Sequence, residues 1–365
     1  MAIFTDVIYD VTKEGRKLPT SEYKDKGLYP IIDQGQNNIA GYTDETDGLF
    51  SNVPDIIFGD HTRIIKYVDA PFFIGADGVK ILKAKDKKAN YKFLYYALSS
   101  AKIPNTGYNR HFKWLKEIDI PTYSEQEEKK IVSELDKICD LITLRKQQLS
   151  KWDELVKSRF VELFGNLVIG DKVDSNKKKI GDIASVTKLA GFEFTEYIQY
   201  KEQGDIIMLR GLNCKKGHLV LDDIKWIDKE TSDLLPRSKL YYGDILMTYA
   251  GTIGDVAMVD ADDKYHLAPN VAKITLNDKT ACNPVFLMHL FMYTNDYIMT
   301  FASVVAQASI NMEKIRNFEY YFPPVELQNQ FASFVEQTDK SKLAIQQSLE
   351  KLETLKKSLM QQYFG

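Results

Sequence analysis

Apolar residues recur at alternating steps of four and three in two stretches of this chain, and the stretches share one frame 200 residues apart. In the first they fall at Ile131, Leu135, Ile138, Ile142, Leu149, Trp152, Val156 and Leu163. In the second they fall at Phe331, Val335, Ile345, Leu349, Leu352, Leu359 and Tyr363. A seam held over about four heptads predicts a long helix with one face in need of a partner. No Gly or Pro interrupts Ser124 to Phe164 or Glu326 to Phe364, and both stretches end in Phe-Gly, at Gly165 and Gly365. Where one copy is polar the other is often apolar: Thr338 and Lys342 match Ile138 and Ile142, and Arg145 and Arg159 match Ile345 and Leu359. The two helices are therefore expected to pack on each other as a coiled coil, antiparallel if a globular unit sits at each end. A helix of roughly 40 residues is about 60 Å long. Two separate amphipathic helices would explain the period but not the shared frame.

Between the seams the period shortens, and the same elements again occur twice. Tyr29-Pro30-Ile31-Ile32 and Ile206-Ile207-Met208-Leu209 read as short strands, as do Asp55-Ile56-Ile57-Phe58-Gly59 and Asp244-Ile245-Leu246-Met247-Thr248. Asp77 to Ile81 pairs with Asn270 to Ile274. The period then changes to helical over Tyr91 to Ser99 and Pro284 to Tyr293. Asn109 and Asn311 each stand twelve residues before a proline, Pro121 or Pro323, and both suit helix caps. The predicted class is α+β: two similar mixed α/β domains separated and joined by two long helices, with internal pseudo-twofold symmetry. The expected divisions are 1–122 for the first domain, 123–165 for the first long helix, 166–175 for a linker, 176–322 for the second domain and 323–365 for the second long helix.

Composition narrows the chemistry. The 365 residues carry 48 basic and 51 acidic side chains, a formal charge of -3, so a basic patch for a polyanion would have to be local. Three cysteines, Cys139, Cys214 and Cys282, lie far apart and fit a reducing compartment. No leader and no apolar run of membrane-spanning length is present, which predicts a cytoplasmic protein with no membrane partner. Catalytic readings find little support. Asn283-Pro284-Val285-Phe286 reads as a helix cap followed by proline at the first helical position. Gly251-Thr252-Ile253-Gly254 lacks the Lys-Ser/Thr of a phosphate loop. The five histidines make no ligand set, and His289, inside an apolar helix, reads as packed. No metal site, no cofactor and no catalytic residue is expected in this chain.

Several local phrases resemble one family. Tyr242-Gly243-Asp244-Ile245-Leu246-Met247-Thr248 precedes Gly251-Thr252-Ile253-Gly254, and Leu267-Ala268-Pro269-Asn270 leads into a strand. Phe322-Pro323-Pro324-Val325-Glu326-Leu327-Gln328 opens the second long stretch and is echoed by Ile120-Pro121-Thr122-Tyr123-Ser124-Glu125-Gln126. With the Phe-Gly endings, in this order and over the whole length, the chain resembles the specificity subunits of type I restriction–modification enzymes. The resemblance implies two target-recognition domains, each reading one half of a split double-stranded DNA sequence, with the long helices setting the gap. It implies two adenine-N6 methyltransferase subunits docked on the helices and two motor-nuclease subunits in the restriction complex. S-adenosylmethionine, ATP and Mg would belong to those partners. The first unit departs from the family phrase, with Gly59-Asp60-His61-Thr62-Arg63 where the second has Thr248 to Gly254. Alternatives are a specificity subunit of a different restriction–methylation or phage-defence methyltransferase system, and a protein-interaction scaffold without a DNA role.

Base edges are read by Arg, Lys, Asn and Gln, and phosphates by basic and hydroxyl groups. On that chemistry the DNA-contact candidates in the first unit are Gln34, Gln36, Asn37, Asn38, Arg63, Arg110 and Lys113. In the second they are Lys188, Arg210, Asn213, Lys215, Arg237, Lys239, Tyr249 and Thr252. Neither set is dense, and each candidate is also compatible with an ordinary polar turn. Leu144, Leu155, Phe160, Leu343, Leu355 and Met360 lie beside the seam and are candidates for partner docking, although some would instead contact their own domains.

Overall fold

The structure, a computed structural model, describes residues 1–75, 77–170, 177–303 and 308–365. The chain is α+β, with two similar α/β domains joined by two long helices, Glu125–Phe164 and Val325–Phe364. It divides into two compact units, each holding part of both helices: Met1–Gln147 with Ile345–Gly365, and Gln148–Ala344.

The helix ends follow from local chemistry. Ser124 and Glu127 form a capping box: the Glu127 amide donates to Ser124 Oγ at 3.3 Å, and the Ser124 amide donates to Glu127 Oε2 at 2.9 Å. Two prolines precede the second helix, and Gln328 in its first turn is buried, donating to Pro323 O and accepting from the Asn283 amide. At the far end of the first helix Gly165 takes φ +63, the left-handed cap conformation, and its amide closes on Val161 O.

Within each unit the helices run antiparallel. In unit 1 the start of the first meets the end of the second: Tyr363 Oη donates to Glu134 Oε2 at 2.6 Å, and Ile131 and Leu135 share a core with Leu359, Tyr363 and Phe364. In unit 2 the end of the first meets the start of the second, with the Phe160 and Phe331 rings 5.3 Å apart. Ile131, Leu135, Ile138, Ile142, Val156, Phe331, Val335 and Leu349 are buried. Leu149, Trp152, Leu163, Ile345, Leu352, Leu359 and Tyr363 are half-buried. The polar seam positions are accommodated singly. Thr338 bonds back to Phe334 O, and Lys342 reaches Asp153 on the facing helix at 2.6 Å.

Unit 1 contains two sheets. One is antiparallel, in the order Ile8–Asp10, Val79–Ala84, Asp55–Gly59, Ile65–Val68. The other is mixed, with Tyr29–Ile32 antiparallel to Gly41–Thr43 and parallel to Phe73–Ile74. Asp55–Gly59 is buried throughout, as its continuous apolar run requires. The helix Tyr91–Ser99, capped by Asn90, packs its aromatic face on the antiparallel sheet.

Unit 2 repeats the plan. Its antiparallel sheet runs Ala184–Lys188, Val271–Leu276, Ile245–Thr248, Val256–Met258. In its mixed sheet Ile206–Leu209 is antiparallel to Lys225–Ile227 and parallel to Tyr265–Leu267, and Lys239–Leu240 forms an edge. The matching helix, Pro284–Tyr293, is capped by Asn283. His289 within it is buried, its Nδ1 bonded to Val285 O at 2.8 Å, and burial pushes its pKa down to about 4. The expected linker at 166–175 is described only to residue 170: Leu167 is buried in the core of unit 2, and 171–175 lie outside the described residues, as does the expected first residue of the second domain, Asn176.

The same sheet position carries different chemistry in the two units. Asp244 is buried but satisfied, accepting from Thr275 Oγ1 at 2.5 Å and the Tyr241 amide at 2.9 Å. Its counterpart Asp55 is buried 3.2 Å from Lys83 Nζ. Burial pushes the Asp55 carboxyl up to about 7, against the opposing pull of Lys83.

Candidate nucleic-acid interface

In unit 1 four loops meet at one end of the two sheets. They follow Tyr29–Ile32, join Asp55–Gly59 to Ile65–Val68, precede Val79–Ala84, and lead into the short helix Phe112–Leu115. Gln34 is the knot between three of them. Its Nε2 donates to Asp77 O at 2.8 Å, its Oε1 accepts from the His61 amide at 3.1 Å, and its backbone oxygen accepts from Thr62 Oγ1 at 2.7 Å. Asp60 binds the fourth: its carboxylate caps the helix through the Phe112 amide at 2.7 Å, and its carbonyl accepts from the His111 amide and Nδ1. Gly78, at φ +85, lies beside both; a Cβ there would stand 2.7 Å from His61 and 2.9 Å from Gln34.

With the inner positions spent in this way, the outward residues of unit 1 are few. Gln36, Asn37 and Asn38 are exposed, and the backbone of Asn37 is held by Lys66, whose buried ammonium donates to Asn37 O at 2.5 Å. Burial lowers the Lys66 pKa, with Asp33 opposing. Arg63 takes the left-handed conformation, φ 63, and reaches back to Ile103 O at 3.4 Å. Arg110 and Lys113 are exposed, with Lys113 Nζ over the Trp114 ring at 4.1 Å.

Unit 2 brings the corresponding loops together through different bonds. The Tyr249 amide donates to Asn270 O, and Tyr249 O accepts from the Ile310 amide at 2.8 Å. Lys188 Nζ lies over the Tyr249 ring at 5.5 Å. Thr248 Oγ1 donates to Thr252 O and accepts from the Asp255 amide, leaving the Thr252 side chain exposed. Arg210 is drawn to Asp223, at 2.7 Å. Asn213 is fully buried, its amide donating to Val220 O and Asp223 O and its oxygen accepting from the Arg210 amide, so this side chain holds the turn. Lys215 is exposed on the hairpin Cys214–Lys215/His218–Leu219. Arg237 pairs with Glu193, and Lys239 pairs with Asp233 in a cleft also lined by Asp205 and Asp263. Among the described residues, the side chains of Arg237 and Lys239 bond to Glu193 and Asp233 and not to the Tyr249 cluster.

Asn109 and Asn311 are not counterparts. Asn311 caps Met312–Arg316 through the Lys314 amide. The matching helix of unit 1 starts after His111, and its cap is supplied from a distance by Asp60, while the Asn109 side chain donates to Thr106 O. The frame of 200 residues that relates the long helices extends through Leu115/Ile315 and Ile120/Tyr320, all buried. Further back the frame slips by one, since the His111 amide bonds Asp60 O as the Ile310 amide bonds Tyr249 O.

Beside the seam, Leu144, Leu155, Leu343 and Leu355 are exposed, at 45% to 59%. Phe160 is not on a surface: it is buried among Phe164, Phe286, Tyr293 and Phe331. Met360 packs against the core of unit 1. Among the described residues no cluster of three or more metal-ligating side chains occurs, and no helix is long and apolar enough to cross a membrane.

A family profile described as the type I restriction modification DNA specificity domain matches residues 6–151 and 172–356. The chain belongs to that family, and its role is that of a non-catalytic DNA-recognition subunit of a type I restriction–modification system. It is 23% identical over 338 residues to the specificity subunit of the type I restriction enzyme EcoR124I/EcoR124II of Escherichia coli, covering 87% of this chain and 81% of that protein. It is 25% identical over 319 residues to the EcoBI specificity subunit of the same organism, covering 78% and 67%. Its fold is similar to the crystal structure of the type I restriction-modification system S subunit from M. genitalium, with TM-score 0.59, 15% identity, and coverage of 100% of this chain and 95% of that one. A second similar fold, from work on complex assembly and conformational transition of the type I R-M system, has TM-score 0.53 at 14% identity and covers 98% and 97%.

Proposed function

We propose that the chain reads a bipartite double-stranded DNA target, one half-site per domain, and positions two adenine-N6 methyltransferase subunits, with two motor-nuclease subunits joining in the restriction complex. The observation that supports this most is that one loop constellation recurs in both units on the same sheet plan with different side chains. Two readers of one architecture and different surface chemistry suit one molecule that recognises two different half-sites. Sequence is read at base edges and register at phosphates, and the exposed Gln36 to Asn38 amides, Arg110, Lys113, Lys188 and Thr252 supply both kinds of group. The chain's net charge of -3 is poorly suited to bind a polyanion alone. Partner subunits that add positive surface or clamp the duplex answer that need. The exposed Leu144, Leu155, Leu343 and Leu355 are the apolar positions we assign to docking them. S-adenosylmethionine, ATP and Mg serve the chemistry of those partners.

The test is modified-base sequencing of DNA from a host that expresses this chain with its methyltransferase partner, repeated after residues 1–122 are exchanged for those of a relative. A split motif with N6-methyladenine in both halves is expected, and the exchange should change one half only. An active methyltransferase that yields no motif with this chain, but does so with another specificity subunit, sinks the reading.

A further inference from the structure

One segment at the loop end of unit 1 is ordered by contacts that the fold itself does not use. Tyr108 is 87% exposed, yet its ring lies parallel to that of His61, 4.5 Å away and 6° from coplanar. His61 is held in turn, with its amide on Gln34 Oε1 and its Nδ1 donating to Asn109 O at 3.2 Å. The turn around Tyr108 and Asn109 is thus clamped onto the turn that carries His61. Arg110 follows directly and is exposed; among the described residues it makes no hydrogen bond or ion pair. The anion that faces it, Asp77, is already paired with Lys17 at 2.9 Å.

The internal repeat supplies the second argument. The His111 amide donates to Asp60 O as the Ile310 amide donates to Tyr249 O, and both residues are buried, so these two are counterparts at the loop end. The position before them is Ser309 in unit 2, paired through its backbone with Ser303, and Arg110 in unit 1, charged and displayed. A position that is small in one unit and charged and displayed in the other suits two readers that read differently. Arginine on a rigid stem is suited to a bidentate contact with a base edge, because its planar fork loses little freedom on binding.

We propose that Arg110 is a specificity-determining contact of unit 1 with a base edge of DNA, and that Tyr108 and His61 are positioning residues that present it. The proposal rests on the reading of unit 1 as the reader of one half-site. It goes further in assigning that reading to one side chain and its aromatic support.

The test uses the full chain with its methyltransferase partner and reads the methylated motif. Arg110→Ala should relax one position of one half-site, with discrimination there falling about tenfold or more and the other half unchanged. Arg110→Lys keeps the charge but not the fork and should not restore it. Tyr108→Ala should relax the same position, whereas Tyr108→Phe keeps the stack and the motif. Thermal melts should match wild type, since both side chains are exposed. An unchanged motif in Arg110→Ala overturns the proposal and leaves the split-site reading standing. So does an even loss of methylation at all sites with a reduced salt dependence, which marks a phosphate contact. A wild-type chain that yields no split motif removes the reading of unit 1 and this proposal with it.

Discussion

Two buried carboxylates at one position of a repeated sheet have different neighbours. Asp244 finds a hydroxyl and an amide in Thr275 and Tyr241, while Asp55 finds the ammonium of Lys83. Removing a carboxylate from water raises its pKa unless hydrogen bonds to the charged form compensate, and Asp55 has too few. With its pKa raised to about 7, folded Asp55 keeps a proton that the unfolded chain releases near pH 4. Stability contributed at this site is therefore full below about pH 4 and lost as pH rises to about 7, by at most about 1.4 kcal/mol per pH unit for one proton. Asp55→Asn should remove that slope from chemical denaturation curves measured between these limits. An unchanged slope would mean that the carboxylate is ionised throughout.

At the scale of the element, the long helices show how one periodic surface is divided between burial and display. Phe160 and Leu144 both flank the seam. Phe160 enters a cluster of four rings from unit 2, while Leu144 is left 56% exposed. Phe160→Ala should cost about 3–5 kcal/mol of stability, the usual loss for a buried phenylalanine. Leu144→Ala should change stability by no more than about 0.5 kcal/mol. If Leu144 docks a partner, its substitution should lower co-purification of the methyltransferase without moving the melting curve. A large stability loss in Leu144→Ala would show that this face is already in use.

At the scale of the whole molecule, each unit is built from both ends of a helix pair. Unit 1 needs Ile345–Gly365, which follow unit 2 in sequence. Leu359, Tyr363 and Phe364 cover Phe93, Ile131 and Leu135, and Tyr123 Oη donates to Tyr363 O. Deleting 345–365 should leave unit 1 with an open apolar face and unit 2 intact. Limited proteolysis of the truncated chain should digest the first 147 residues before the segment 148–344. Equal resistance of the two would show that unit 1 closes without the terminal segment.

What the sequence determined by itself was what repeats with a period. The long helices were legible because a seam of fours and threes, unbroken by Gly or Pro, permits no other regular structure over that length. That they pair was legible because neither seam is complete alone, whereas the antiparallel direction was expected only if a globular unit sits at each end. The repeated strands and the helices Tyr91–Ser99 and Pro284–Tyr293 were legible for the same local reason. The loop end of each unit was decided only in three dimensions. Composition alone marked Gln34 and Asn213 as contact groups, yet both are spent holding turns, because their partners Asp77, His61, Val220 and Asp223 come from other loops or turns. His61 carried no signal until Tyr108 was laid against it. Burial of an apolar face is a property of one segment and its period. The partner of a polar atom in a loop is set by which other loops arrive beside it, and that is fixed by the sheets that hold them.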